Sequence, residues 1–257
     1  MHRFYLPPQD CAGGLLHLGG REAHHARRVL RLKCGDPAVV LDGAGMEWVC
    51  QVEDAARNAL TLRVMKRRSI PAPLCAITLL QALPKRKVFE TIIQKAAEMG
   101  ARRIVPILSG RVVVRLDGKD LEHKRCQWSQ VAIEAIKQCG AAWLPEVEAP
   151  ATLQQFVARN EKFDLALVGS LQSDRRHPRD CFQEFERTHG RLPRSVAIWI
   201  GPEGDFAPGE MAVIQQSGAL PISLGGRVLR VETAATYCLS ILNYEMEHGH
   251  CDPPTLF

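Results

Sequence analysis

Near the C-terminus the sequence reads IWIGPEGDFAPGE from Ile198 to Glu210 and SLGGRVLRVETAAT from Ser223 to Thr236. Each glycine turn ends an apolar run, and the two stand about twenty residues apart. A residue without a side chain lets a ligand reach backbone amides and carbonyls. The pair therefore reads as one binding pocket built largely from main chain. Phosphate is a poor candidate for it, since no G-x-x-x-x-G-K-[ST] is present and no G-x-G-x-x-G opens a helix after a strand. Pro202 removes a donor directly after Gly201, and Glu203 would repel an anion. A ligand neutral at its base and positive elsewhere fits better.

The elements that position these turns belong to the second of two segments. In the first, PAVVLDG, EWVCQVED and ALTLRVMKR are short apolar or alternating runs broken by the turn DGAG, which predicts a small β barrel or sandwich. One helix interrupts it at REAHHARRVLRL, where Ala26, Val29 and Leu30 recur near helical spacing while Arg27, Arg28 and Arg31 fall largely elsewhere, facing solvent or phosphate. The proline-rich SIPAP sets the boundary, giving segments 1–70 and 71–257. Beyond it CAITLLQAL reads as a buried strand and KVFETIIQKAAEMG as a helix closed by Gly100. RRIVPIL, FDLALVG, VAIWIG and LPISLG are further strands, and helices are predicted over about 122–138, Pro208–Ser217 and Thr233–Glu247. Strands alternating with helices imply an α/β fold with a parallel sheet, whose ligands bind beyond the carboxyl ends of the strands.

A chain of 257 residues with 46% apolar and 24% charged residues has the composition of an ordinary soluble protein. No apolar run is long enough to span a membrane and MHRFYLPPQD has no signal-peptide core, so a cytoplasmic location is expected. The nine cysteines include no C-x-x-C pair and read as reduced thiols. HGHCD near the end reads as a solvated tail, with no metal expected. Residues 1–70 hold 11 Lys and Arg against 7 Asp and Glu, so +4 of the net +5 lies there. That surplus fits either a nucleic-acid partner or a solvated basic surface.

IGPEG followed by LGGRVLRVETAA resembles the paired C-terminal signatures of the SPOUT superfamily of S-adenosylmethionine-dependent RNA methyltransferases, specifically its RsmE-type 16S ribosomal RNA uridine-N3 methyltransferases. QKAAEMGARRIVPI, the Trp128–Val147 stretch, HHARRVLRLKCGD and LDGAGMEW resemble the same family in the same order, so the likeness spans nearly the whole chain. It implies a PUA-like β-barrel domain for RNA at the front and an α/β-knot methyltransferase domain behind. The knot of that superfamily would tie the two glycine turns side by side around the adenosine of S-adenosylmethionine. Its implied contacts are Val168 and Gly169, Ile200 through Gly204 (Ile200, Gly201, Pro202, Glu203, Gly204), Leu224, Gly225, Arg227, Val228, Leu229, Thr233 and Ala234. The expected partner is 16S ribosomal RNA or the assembled small subunit, contacted by Arg27, Arg28, Arg31, Lys85, Arg86 and Lys95.

Within that reading Arg230 and Glu232 are the catalytic candidates. Methylating a uridine imide nitrogen requires loss of its proton, and a guanidinium is suited to the anion that develops. The competing role for Arg230 is an ion pair with Glu232 or Glu203. An ordinary carboxylate is a poor base for so weak an acid, and the base stays unassigned. Glu203 has two readings, a bond to ribose or the sulfonium, or an acceptor that stabilises its own turn. Two positions depart from the family pattern: Asp205 stands where many members have glycine, and Ala141 where many have an arginine; if that arginine contacts RNA in relatives, the contact is either absent here or supplied by Lys137. The final helix carries Ala234, Ala235, Cys238, Leu239, Ile241 and Leu242 over more than one face, which with the resemblance implies a homodimer. A non-catalytic RNA-binding factor of the same two-domain shape is the alternative, and a nucleotide hydrolase is disfavoured by the missing Lys-Ser/Thr pair.

Overall fold

Period-two alternation builds the first sheet. Its strands are β1 (His2–Tyr5), β2 (Leu15–Leu18), β3 (Pro37–Leu41), β4 (Met46–Asp54) and β5 (Leu60–Ser69), in the order β1-β3-β4-β5-β2. Only β1 and β3 run parallel. Trp48, Cys50 and Val52 of β4 and Leu60 and Leu62 of β5 turn inward with Phe4, Leu16, Leu18 and Val40 to form its core. The four-residue β1 and β2 were too short to show a period in the sequence. The coordinates, a computed structural model, describe residues 1–56, 59–85, 88–110 and 118–246. They divide into one compact unit, Met1–Ala72 with Ile133–Leu144, and a second formed by Pro73–Ala132 and the described chain from Pro145.

The helix expected at 21–32 is shorter and changes pitch. α1 (Gly20–His24) runs into a π-turn over His25–Val29, in which Leu30 N–H donates to the His25 carbonyl at 3.1 Å. A π-turn inserts an extra residue and rotates the face that follows. Ala23 and Ala26 stay buried, but Val29, expected on the apolar face, is 64% exposed.

The second sheet is wholly parallel. Along the chain come β6 (Ala76–Ala82), α2 (Val88–Glu98), β7 (Arg103–Leu108), α3 (Gly118–Cys139), β8 (Glu146–Val147), β9 (Ala151–Thr152), α4 (Leu153–Ala158), β10 (Leu165–Gly169), α5 (Pro178–His189), β11 (Ser195–Ile200), α6 (Pro208–Gln216), β12 (Leu220–Ile222) and α7 (Val231–Met246). The order is β12-β10-β11-β6-β7-β8, with β9 also on β7. β11 is buried from Val196 to Ile200, as a central strand covered on both faces must be. Phe89 of α2 meets Trp128 edge to face with ring centres 4.6 Å apart, a geometry worth about 0.5–1.5 kcal/mol beyond area burial. Trp199 of β11 is similarly met by Phe156 and Phe206.

α4 and α5 are not predicted by the sequence pattern. Thr152 caps α4 in a reciprocal box with Gln155. α5 has Pro178 in its first turn and Gly190 left-handed beyond its end. On α7, Ala235, Cys238, Leu239 and Leu242 are buried within the unit. Tyr237 and Tyr244, three and ten residues beyond the half-buried Ala234, extend a second stripe that is 45% and 61% exposed.

Candidate functional site

Three strand ends and one turn enclose a pocket of about 640 Å³ in the second unit, within the usual range for small-molecule sites. Gly169 at the end of β10 forms one wall with Ser170 and Leu171 beyond it, Ile200 at the end of β11 forms the floor with Gly201–Asp205, and the Leu224–Glu232 stretch forms the opposite wall. Lys85 and Val88 close the side beyond β6. Both glycine turns therefore line one cavity at the carboxyl edge of a parallel sheet. Their glycines serve different ends. A side chain at Gly201 would meet Phe206 N at 3.0 Å and Asp205 Oδ1 at 3.1 Å, whereas Gly225 has open space around it and a φ of +98°.

Of the residues expected at the cofactor, Gly169, Ile200, Gly201, Pro202, Glu203, Gly204, Leu224, Gly225, Arg227, Val228, Leu229 and Ala234 line this pocket. Val168 is fully buried in the core of the unit and Thr233 is exposed outside the pocket lining. Ser170, Leu171, Val88, Asp205 and Val231 also line it; the sequence signal for the first two was their place beyond LALVG.

Glu203 is exposed, and both its oxygens take the Lys85 backbone N–H, at 3.1 and 3.3 Å. Asp205 uses Oδ2 to accept from Leu171 N–H at 2.9 Å and Oδ1 to accept from Phe206 N–H at 2.8 Å. Glu210 at the start of α6 accepts from Gly110 N–H at 2.7 Å and Ala207 N–H at 2.9 Å. Arg230 and Glu232 both lie on the pocket wall. Arg230 is exposed and makes no ion pair among the described residues, with Glu232, Glu203 or any other carboxylate.

The lining suits a nucleoside. Ile200, Leu224 and Leu229 offer apolar surface, the glycine turns offer backbone, and the charged groups are Glu203, Asp205 and Glu232 together with Lys85, Arg227 and Arg230. No Lys-Ser/Thr pair for phosphate is present.

Of the expected RNA contacts, Arg28 and Arg31 are exposed, Arg31 with a left-handed φ of 56°. Arg27 donates to the Ala56 carbonyl at 3.1 Å. Lys85 lines the pocket, Lys95 pairs with Glu98 at 2.7 Å, and Arg86 lies outside the described residues, as does HGHCD. Lys137 is not available as a substitute cation. Its side chain is 8% exposed and holds Glu22 at 2.7 Å and Glu134 at 3.1 Å. A second basic group, on β5, was missed: Arg63, Lys66, Arg67 and Arg68, of which Arg67 stacks on Trp48 at 4.5 Å. The run KRR at 66–68 was its signal. Among the described residues no cluster of metal-ligating side chains occurs, and no helix is long and apolar enough to cross a membrane.

A front β unit with a basic surplus is followed along the chain by a parallel α/β unit with a glycine-walled pocket. The family model for an RNA methyltransferase domain matches residues 71–243, and that for an RNA methyltransferase PUA domain matches residues 18–65. Ribosomal RNA small subunit methyltransferase E of Synechocystis sp. is 33% identical over 96% of this chain and 78% of its own length. Its counterpart in Bacillus subtilis is 30% identical over 89% of each. Among solved structures, one from Legionella pneumophila, described as a methyltransferase in complex with the bound cofactor SAM, superposes with a TM-score of 0.83 at 33% identity over 94% of this chain and 96% of its own. The chain belongs to the ribosomal RNA small subunit methyltransferase E family. Its fold is the α/β class with a front PUA domain and a parallel sheet that the sequence led us to expect.

Proposed function

We propose that this protein transfers a methyl group from S-adenosylmethionine to N3 of a uridine in the RNA of the small ribosomal subunit. The observation that carries the reading is Arg230: a guanidinium on the wall of a glycine-lined pocket, with no carboxylate partner among the described residues. The pocket residues fit the cofactor, which when bound supplies an electrophilic methyl group on a sulfonium. Backbone around Ile200–Gly204 and Leu224–Leu229 would hold the adenosine, and the carboxylates of Glu203 and Glu232 would favour its positive end.

The protein's own contribution is alignment and charge. As the imide loses its proton, negative charge spreads over N3 and the two flanking carbonyl oxygens. Arg230 carries permanent charge and several donors in a planar fork, which matches that distribution. Glu232, two residues on, lies on the same wall; an ordinary carboxylate is a poor base for so weak an acid, so removal of the imide proton is not assigned to it. The cations at Arg27, Arg28 and Arg31, with those of β5, would hold phosphates.

Incubation of small subunits and of free 16S RNA, each from cells lacking the protein, with enzyme and S-adenosylmethionine tests this reading. Nuclease digestion and mass spectrometry should show 3-methyluridine, and Arg230→Ala should reduce its formation at least about 100-fold, in the range for removal of a group that stabilises a developing anion. RNA binding without S-adenosylmethionine binding would favour the non-catalytic factor instead.

A further inference from the structure

The Gly201–Phe206 segment leaves the central strand β11, whose neighbours are β10 on one side and β6 on the other. It carries two carboxylates separated by one residue, and they reach in opposite directions across the sheet. Glu203 bonds the segment beyond β6 at Lys85 N–H, and Asp205 bonds the segment beyond β10 at Leu171 N–H. Their situations differ. Glu203 is exposed and shares one donor between two oxygens, which leaves it acceptor capacity. Asp205 has each oxygen engaged by a backbone amide, one from its successor Phe206 and one from Leu171.

Asp205 also holds a φ of +69°, a conformation few side chains adopt and for which aspartate is among the more tolerant. A strained conformation persists when its surroundings compensate for it. Here the compensation is two charge-assisted bonds, one of which crosses to another wall of the pocket. Leu171, whose amide is held, is 48% exposed on that wall.

We propose that Asp205 is a positioning residue for the pocket. Its carboxylate fixes the Gly169–Leu171 wall to the Gly201–Phe206 floor, so that the pocket has its binding shape before the ligand arrives. Glu203 is left as the carboxylate able to meet a ligand. The naming of that ligand rests on the reading under Proposed function; the strut itself does not.

Asp205→Gly tests it, because glycine keeps the left-handed backbone at no steric cost while removing the carboxylate. Asp205→Asn retains one acceptor oxygen and serves as the conservative partner. Titration calorimetry with S-adenosylmethionine should show affinity about tenfold weaker in Asp205→Gly, the factor expected for losing the charge-assisted bond to Leu171, of the two removed the one that joins the walls. The KM for S-adenosylmethionine should rise by the same factor, while kcat at saturation stays within about twofold. Asp205→Asn should recover part of the loss. Amide exchange at Leu171 should be faster in Asp205→Gly than in the parent, whatever ligand the pocket takes. Unchanged exchange overturns the strut. Faster exchange with unchanged affinity overturns its role in binding, as does a fall in kcat and thermal stability with no change in KM. If the parent protein does not bind S-adenosylmethionine, the reading of the ligand fails and exchange at Leu171 alone decides for or against the strut.

Discussion

The two glycines of the pocket should respond to the same substitution in opposite ways. At Gly201 an alanine methyl would sit 3.0 Å from Phe206 N, 3.1 Å from Asp205 Oδ1 and 3.2 Å from Asp205 Cα, so the turn must open by a few tenths of an ångström. Overpacking of this kind costs about 1–3 kcal/mol. The turn is anchored at the end of the buried β11 and cannot relax alone. Most of the strain should therefore appear as lost stability, about 2–4 °C in melting temperature for each kcal/mol in a chain of this size. Gly225 has nothing within 4 Å of a Cβ and is constrained by its φ of +98°, which costs an alanine about 1–2 kcal/mol. It lies in an exposed stretch, Gly225–Val228, which can relax in the free protein and must be driven back on binding. The cost should then fall on affinity, roughly five- to thirtyfold in Kd, with the melting temperature unchanged. Scanning fluorimetry of Gly201→Ala and Gly225→Ala, with calorimetric titration of S-adenosylmethionine, reads both quantities. Undiminished affinity in Gly225→Ala would refute the argument, because the left-handed turn would then be irrelevant to the bound state.

Neutralising Arg27, Arg28 and Arg31 together should flatten the dependence of log affinity for RNA on log salt by about 2, since each phosphate contact contributes roughly 0.7–0.9; an unchanged slope would assign them to solvent. Light scattering should give twice the 28.6 kDa chain mass, and Tyr237→Glu on the exposed stripe of α7 should return a monomer. Arg191, bonding the Asp164 carboxylate at 2.8 and 3.1 Å, pulls its pKa down to about 2. A depressed carboxylate stabilises the fold above its unfolded value near 4 and loses that contribution as pH falls through 2. With Arg191 39% exposed, screening limits this to about 1 kcal/mol, and Asp164→Asn should erase that step in acid denaturation. Burial pushes the Cys50, Cys75 and Cys238 thiols up to about 12, so a thiol reagent should label the exposed Cys34, Cys126 and Cys139 first and those three only after unfolding.

Where a run of residues carried its own period, the sequence revealed the element. β6, β10 and β11 are predominantly apolar stretches, with Thr78 and Gln81 the buried polar exceptions in β6, and α2 repeats Phe89, Ile93 and Ala97 on a face that is buried. α5 escapes the pattern because most of PRDCFQEFERTH is polar, and beyond Pro178 only Cys181, Phe182 and Phe185 mark its buried side. β1, β8 and β9 exist through pairing with distant strands, which no local pattern reports. Val29 was misplaced because a π-turn leaves no mark in composition. For the site, the glycine turns were visible as turns. Their pairing already points to one shared pocket, to which the family resemblance adds a reason for their meeting, whereas the work of Asp205 depends on a bond to Leu171, 34 residues away.

The layout of β5 has a consequence for how this protein behaves in concentrated solution. β2 pairs with β5 only from Leu60 to Arg63, so on that side Met65–Ser69 has no strand partner among the described residues. An unpaired strand edge is a template on which another chain can add, and edges that stay soluble usually carry charge at the open positions. Lys66, Arg67 and Arg68 occupy this one. Arg67 donates to the Gly13 carbonyl and Arg68 lies 4.0 Å from Glu47, and the positive charge of all three would oppose the addition of a foreign strand by repulsion between identical copies. Replacing them with alanine should promote concentration-dependent aggregation of otherwise folded protein, and high salt should do the same to the unaltered chain by screening that repulsion.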